Sequence, residues 1–127
     1  MRISTWNINS IRLRLQQVLH FIKEKNVDVL CLQETKTTDE NFPIEAFREI
    51  GFTFLHFRGE KSYNGVAIIS RFEFKDTGYI NWCKKDDTRH IYVKIKNNIE
   101  LHNFYVPAAT NRLSKQTLIF QHYPHHI

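Results

Sequence analysis

Glu34 and Asn7 are the two residues best suited by type and position to do chemistry. A carboxylate such as Glu34 is a hard oxygen donor of the kind that holds Mg²⁺, which keeps several waters and takes further oxygens from a phosphate. An amide such as Asn7 can offer its oxygen to that metal or its NH₂ to an anion. On residue type alone Glu34 reads equally as a solvated loop carboxylate, and Asn7 as a loop residue ahead of a helix. Lys61-Ser62-Tyr63-Asn64-Gly65 supplies a cation, hydroxyls, an amide and a tight turn, a set that can meet a phosphate backbone or simply form a β-turn. Arg89 follows a charged Lys84-Lys85-Asp86-Asp87 stretch, and Tyr105 lies at the end of the last expected strand, where its hydroxyl needs a polar partner if buried. His122, His125 and His126 crowd the end of the chain, but without the hydrogen-bonding partners that orient a metal-bound imidazole.

The elements that must carry these side chains follow from periodicity. Residues 2–6 read as a short strand, with Ser10 as a helix N-cap. Behind it Ile11, Leu15, Val18, Leu19 and Ile22 recur with helical spacing on one face. Asn26 is a stop, and the apolar run 27–32 reads as a strand buried on both faces. Strand, helix, strand is a βαβ unit, so the two strands should be parallel. Asn7 and Glu34 then both follow carboxyl ends of parallel strands, the edge at which open α/β sheets bind ligands.

A short helix is expected over 43–50. Strands are expected over 52–57, 65–70, 73–81, 90–96 and 100–106, with an Asn97-Asn98 hairpin turn. After Pro107 no sustained period survives. The organisation is therefore one domain over 1–107 and a divergent, poorly ordered tail over 108–127.

Composition bounds the class. The chain is 42% hydrophobic, 13% aromatic and 24% charged, which excludes a disordered protein. No apolar run is long enough to span a bilayer, and the start lacks the apolar stretch of a signal peptide. Cys31 and Cys83 are too few for a disulfide framework and lack metal-ligand spacing, so a reduced, cytoplasmic setting is expected. The net charge of +5 permits a polyanionic partner, and it is unevenly spread: residues 1–25 carry +4 and residues 26–50 carry −4.

Four blocks taken together carry a resemblance. TWNINSIR (5–12), VDVLCLQETK (27–36), KSYNGVAIIS (61–70) and NFYVPA (103–108) occur in order, and they resemble the N-terminal half of exodeoxyribonuclease III in the endonuclease/exonuclease/phosphatase superfamily. The resemblance implies an α/β fold, half of a four-layer sandwich, with a parallel βαβ start and antiparallel later strands. It implies Mg²⁺-dependent hydrolysis of double-stranded DNA, with Mn²⁺ as a possible substitute: 3′-to-5′ exonuclease action and cleavage at abasic sites. Carried over by position, Glu34 is the metal carboxylate, Asn7 joins the same metal and phosphate network, and Tyr105 places its hydroxyl near the reacting phosphate. Arg89 becomes a phosphate contact, and Lys61, Tyr63, Asn64 and Gly65 fall on the DNA-facing side.

The family's second half has no counterpart here. A GDFN-like block, a later Asp–His pair and an SDHxP-like segment are all missing, and Ala108-Ala109 stands where the family has a glycine. The expectation is therefore a truncated homologue, inactive alone, with one apolar sheet face uncovered and prone to self-association. The alternatives are a non-catalytic DNA-binding or interaction module, half of a split nuclease, or the same chemistry on RNA or a phosphorylated small molecule.

Overall fold

The computed structural model describes residues 1–81 and 88–106, together with the strand Lys115–His122. The chain opens with β1 (Ile3–Asn7), α1 (Leu15–Lys25) and β2 (Val29–Gln33). A single 3₁₀ turn (Asp39–Asn41) leads to α2 (Ile44–Arg48). Then come β3 (Phe54–Glu60), β4 (Tyr63–Ser70), β5 (Asp76–Gly78), β6 (His90–Ile95), β7 (Ile99–Val106) and β8 (Lys115–His122).

These strands form two four-stranded sheets, ordered β1-β2-β4-β3 and β5-β6-β7-β8. The β1–β2 pair is parallel, from Ile3 opposite Val29 to Asn7 opposite Gln33, and every other pairing is antiparallel. The expected βαβ start and antiparallel continuation are both present.

β2 explains the layering. Its Leu30 and Leu32 face α1 and α2 in a core with Ile8, Ile11, Val18, Ile22, Phe47 and Phe52. The alternate residues Val29 and Cys31 face the second sheet, packing with Val66, Ile68, Ile91, Val93, Ile95 and Leu101. Period two in a strand forces this division, and a strand apolar at both parities must lie between two layers. Each of these side chains, fully buried, contributes about 1.5–3 kcal/mol of transfer free energy. Asn97 and Asn98 both take left-handed φ (61° and 56°), the conformation of the tight β6–β7 turn that the pair of asparagines announces.

Three expectations are corrected. Helix α1 starts at Leu15 behind Arg14, not behind Ser10. The Ser10 and Ile11 amides are already bound to the carbonyls of Glu34 and Thr35 at 2.8 and 3.1 Å, which ties residues 10–14 into a turn and delays the helix. The tail reads as structureless because its apolar residues are scattered, yet 115–122 pairs antiparallel with β7. An edge strand needs backbone partners more than an alternating pattern.

The uncovered apolar face is likewise not found among the described residues. The inner faces of the two sheets seal each other, and the large exposed apolar side chains (Met1, Leu13, Tyr63, Tyr79, Ile80 and Val106) are dispersed. The outer face of the second sheet carries His90, Tyr92, His102 and Phe104 in mutual ring contact. Cys31 is described as a free, buried thiol, whereas Cys83, the 84–87 stretch, His125 and His126 lie outside the described residues.

Candidate active site

The residues singled out from sequence converge on one end of the sandwich. Asn7 closes β1, and its Nδ2 donates to Oε1 of Glu34 at 2.9 Å. Glu34 follows β2 with a half-buried carboxylate, and its Oε2 lies 3.4 Å from the Lys36 ammonium. Lys36 in turn donates to Oδ1 of Asn9 at 2.7 Å. The carboxylate is thus held from both sides, by an amide and by a cation.

The backbone beneath this group is forced into an unusual shape. Among the described residues ten non-glycine positions have positive φ, and seven of them (Asn9, Ser10, Glu34, Lys36, Ser62, Asn64 and Thr88) lie on the loops that meet here. Residues kept in that sparsely populated region concentrate at functional sites, where surrounding contacts hold them against their preference. Two of the others, Asn97 and Asn98, make the hairpin turn, and Asn26 (φ 51°) caps α1.

Gly65 is the pivot. Its φ is +97°, and a Cβ there would lie 2.0 Å from Oγ1 of Thr35. Only glycine lets β4 approach the Glu34 loop this closely. The Thr35 amide donates to the Gly65 carbonyl (3.2 Å), and the Gly65 amide donates to Thr88 (3.2 Å). Next to Thr88, the Arg89 carbonyl accepts the Tyr105 amide at 2.8 Å. This relay across strand ends brings Arg89 and Tyr105 to the rim that bears Glu34. Tyr105 is partly buried against the inter-sheet core, and Arg89 is exposed.

Lys61 and Tyr63 are exposed at the β3–β4 turn, and Asn64 donates to Oε2 of Glu60 at 3.3 Å while its carbonyl takes the Lys36 amide at 3.0 Å. Lys61 also lines a cavity of about 270 Å³ with Arg12, Lys36, Thr37, Thr38, Asn41 and Ser62. Three cations face it, and the buried hydroxyls of Thr37 and Thr38 have no hydrogen-bond partner there. Unpartnered hydroxyl donors gathered beside cationic side chains suit an anion. Arg12, Lys36 and the two threonines were not among the sequence candidates. Arg12 and Lys36 do stand inside the motif blocks that carried the resemblance, which is the signal that could have found them.

A second polar group lies away from this rim. The Ile80 amide donates to Nδ1 of His90 (3.0 Å), His90 Nε2 lies 3.0 Å from His102 Nδ1, and His102 Nε2 lies 3.3 Å from Glu100 Oε2. Because His90 Nδ1 accepts, its proton sits on Nε2 and is donated to His102, whose own proton then faces Glu100. Burial pushes the His90 pKa down to about 4, helped by the positive neighbours His102, Arg58 and His56.

Comparison with known proteins shows the family and the fold. The model of the endonuclease/exonuclease/phosphatase family matches residues 4–126. An exodeoxyribonuclease of Bacillus subtilis is 32% identical over 118 residues, covering 91% of this chain and 46% of that protein. Among solved structures, an AP endonuclease from Archaeoglobus fulgidus superposes with a TM-score of 0.77 at 43% identity, over 84% of this chain and 42% of that one. A 3′ phosphatase from Neisseria bound to product DNA hairpin gives a TM-score of 0.78 at 33% identity over the same shares. The chain spans less than half the length of the curated relatives it matches.

Proposed function

We propose, from the premise that this chain belongs to the endonuclease/exonuclease/phosphatase family, that it carries the metal-holding rim and the backbone-gripping face of a phosphodiester hydrolase acting on double-stranded DNA. The observation that carries the reading is the Asn7–Glu34 hydrogen bond of 2.9 Å on the rim to which Tyr105 also belongs. The donor set is one carboxylate and one amide oxygen. Among the described residues no group of three or more His, Cys, Asp or Glu could hold a metal ion by itself, so most of an ion's oxygens would come from water and phosphate. Such a set fits Mg²⁺ that keeps most of its waters, and Mn²⁺ could take the same oxygens. When bound, the ion supplies neutralisation of the negative charge that gathers on the phosphate oxygens.

The protein's own groups do the rest. Asn7, donating from Nδ2 to Oε1, fixes the rotamer of Glu34. Lys36 balances the carboxylate, and with Arg12 and Lys61 it offers positive charge to a neighbouring backbone phosphate. Tyr105 can donate its hydroxyl to an oxygen of the reacting phosphate, an interaction that strengthens as charge develops. Tyr63, Asn64 and Arg89 extend the contact along the strand.

Abasic-site and 3′-recessed duplexes incubated with Mg²⁺ test this. Any cleavage is expected to be lost on chelation, and to fall more than about 100-fold in Glu34→Gln, beyond the loss seen when a mere neighbour of a metal ligand is removed. Salt-dependent duplex binding without cleavage would assign the chain the gripping half alone, with the water-activating groups supplied by another polypeptide. Neither binding nor cleavage would end the reading.

A further inference from the structure

The two sheets meet through an interface that is almost wholly aliphatic, built from Val29, Cys31, Val66, Ile68, Ile91, Val93, Ile95, Ile99 and Leu101. Aliphatic contacts are nondirectional, and such a core accepts several offsets of one sheet over the other at similar cost. Below the rim the interface is interrupted. Gln33, fully buried at the end of β2, donates from Nε2 to Thr5 Oγ1 at 2.8 Å and to Asn103 Oδ1 at 2.7 Å. Asn103, fully buried on β7, donates from Nδ2 to the carbonyls of Leu32 (3.0 Å) and Ala67 (2.8 Å), which face each other across the β2–β4 pair.

The bridge is not optimised for stability. Gln33 Oε1 is buried with no partner, and an orphaned acceptor costs more than an apolar replacement of the same shape. Its value lies in direction. Three hydrogen bonds at Asn103, which weaken steeply off their preferred distance and angle, lock β7 against β2 and β4 at one offset, while the Thr5 hydroxyl holds Gln33 in place from β1. Glu34 is the next residue after Gln33. Tyr105 is two residues beyond Asn103 on the same face of β7, roughly 7 Å along the strand.

We propose that Gln33 and Asn103 are positioning residues, forming a spacer that sets where the Tyr105 hydroxyl stands relative to Glu34 and Asn7. What is positioned rests on the phosphodiesterase reading, whereas the mechanical claim does not.

The test needs neither metal nor DNA, so its failure and that of the hydrolase reading are distinguishable. A nitroxide is attached at the exposed 3₁₀ turn through Glu40→Cys, with Cys83→Ser so that Cys31 is the only other cysteine in the chain. Cys31 is buried, and burial raises its pKa, which keeps it unlabelled. Paramagnetic broadening of the Tyr105 ring signals is then compared between this chain and the same chain carrying Gln33→Met with Asn103→Leu, a pair that removes the bridge but keeps its volume. The expected result is a thermal midpoint held within a few degrees, with Tyr105 broadening changed at least twofold. Unchanged broadening overturns the proposal whichever way the midpoint moves, since a bridge that only stabilises would shift the midpoint alone. If the apolar pair does not fold, Gln33→Asn, one methylene shorter, must move the same signal, and its failure to do so is equally fatal.

Discussion

The rim around Glu34 and the histidine chain behind the second sheet are both polar clusters raised on strands, and they differ in what they leave open. At the rim, charge meets charge: a carboxylate lies between an amide and an ammonium, beside a cavity ringed by cations. The loops that hold it are in left-handed conformations that most residues avoid. Behind the second sheet the donors and acceptors run in one direction, from the Ile80 amide to Glu100, through the His90 and His102 imidazoles. The first arrangement keeps strain and charge available for a ligand. The second consumes its hydrogen-bonding capacity internally and belongs to the scaffold. Polar residues on strands therefore divide by whether their partners satisfy them, not by residue type.

The sharpest way to break the contrast is at the pivot. Gly65→Ala puts a methyl 2.0 Å from Thr35 Oγ1 at a φ that L residues rarely adopt. A loss of about 3 kcal/mol or more is expected, combining overpacking and backbone strain. Urea unfolding monitored by Trp6 fluorescence measures it, and a loss below about 1 kcal/mol would mean that the rim is not under the constraint described.

Acid probes the other cluster. Folding lowers the proton affinity of His90, so the unfolded chain takes up the proton first as pH falls below the ordinary value of 6.5. Stability is fully present above that pH, declines as pH falls, and flattens below about 4. Around pH 5 the loss is on the order of 2 kcal/mol. His90→Leu should be less stable at neutral pH but should lose this part of the slope, and an unchanged slope would show that His90 titrates normally.

The smallest effects separate the two surfaces by function. Arg12→Gln and Lys61→Gln should each weaken duplex binding about equally for all sequences and reduce the slope of log affinity against log salt by roughly 1. Lys94→Gln, which lies beside Glu100 on the outer face of the second sheet, should leave that slope alone. Equal effects from all three would mean that the basic surface is diffuse and the cavity beside Lys36 grips nothing in particular.

Much of this was legible in the residues. The period of 3.6 behind Ser10 and the apolar run through Leu30 and Leu32 announce the βαβ start, because helix and buried strand each impose a pattern their neighbours cannot disguise. That pattern also brings Asn7 and Glu34 to one edge. The delayed start of α1 was not legible, since it depends on carbonyls of Glu34 and Thr35 supplied from another strand. Nor was β8, whose existence rests on the free edge of β7 rather than on its own alternation. The Thr37–Thr38 cavity and the Gln33–Asn103 bridge were equally hidden, for each joins residues whose significance appears only when distant segments meet.

By itself, then, the amino-acid order determined which segments become helix and strand and which polar types stand at their ends, because local periodicity and turn chemistry act over a few residues. The tertiary structure decided which of those polar groups face one another, which stay charged and open, and which are satisfied and silent. Hydrogen bonds and electrostatic fields act through space over a few ångströms, and only the packed sheets bring residue 33 to 103, or 35 to 65 and 88, within that reach.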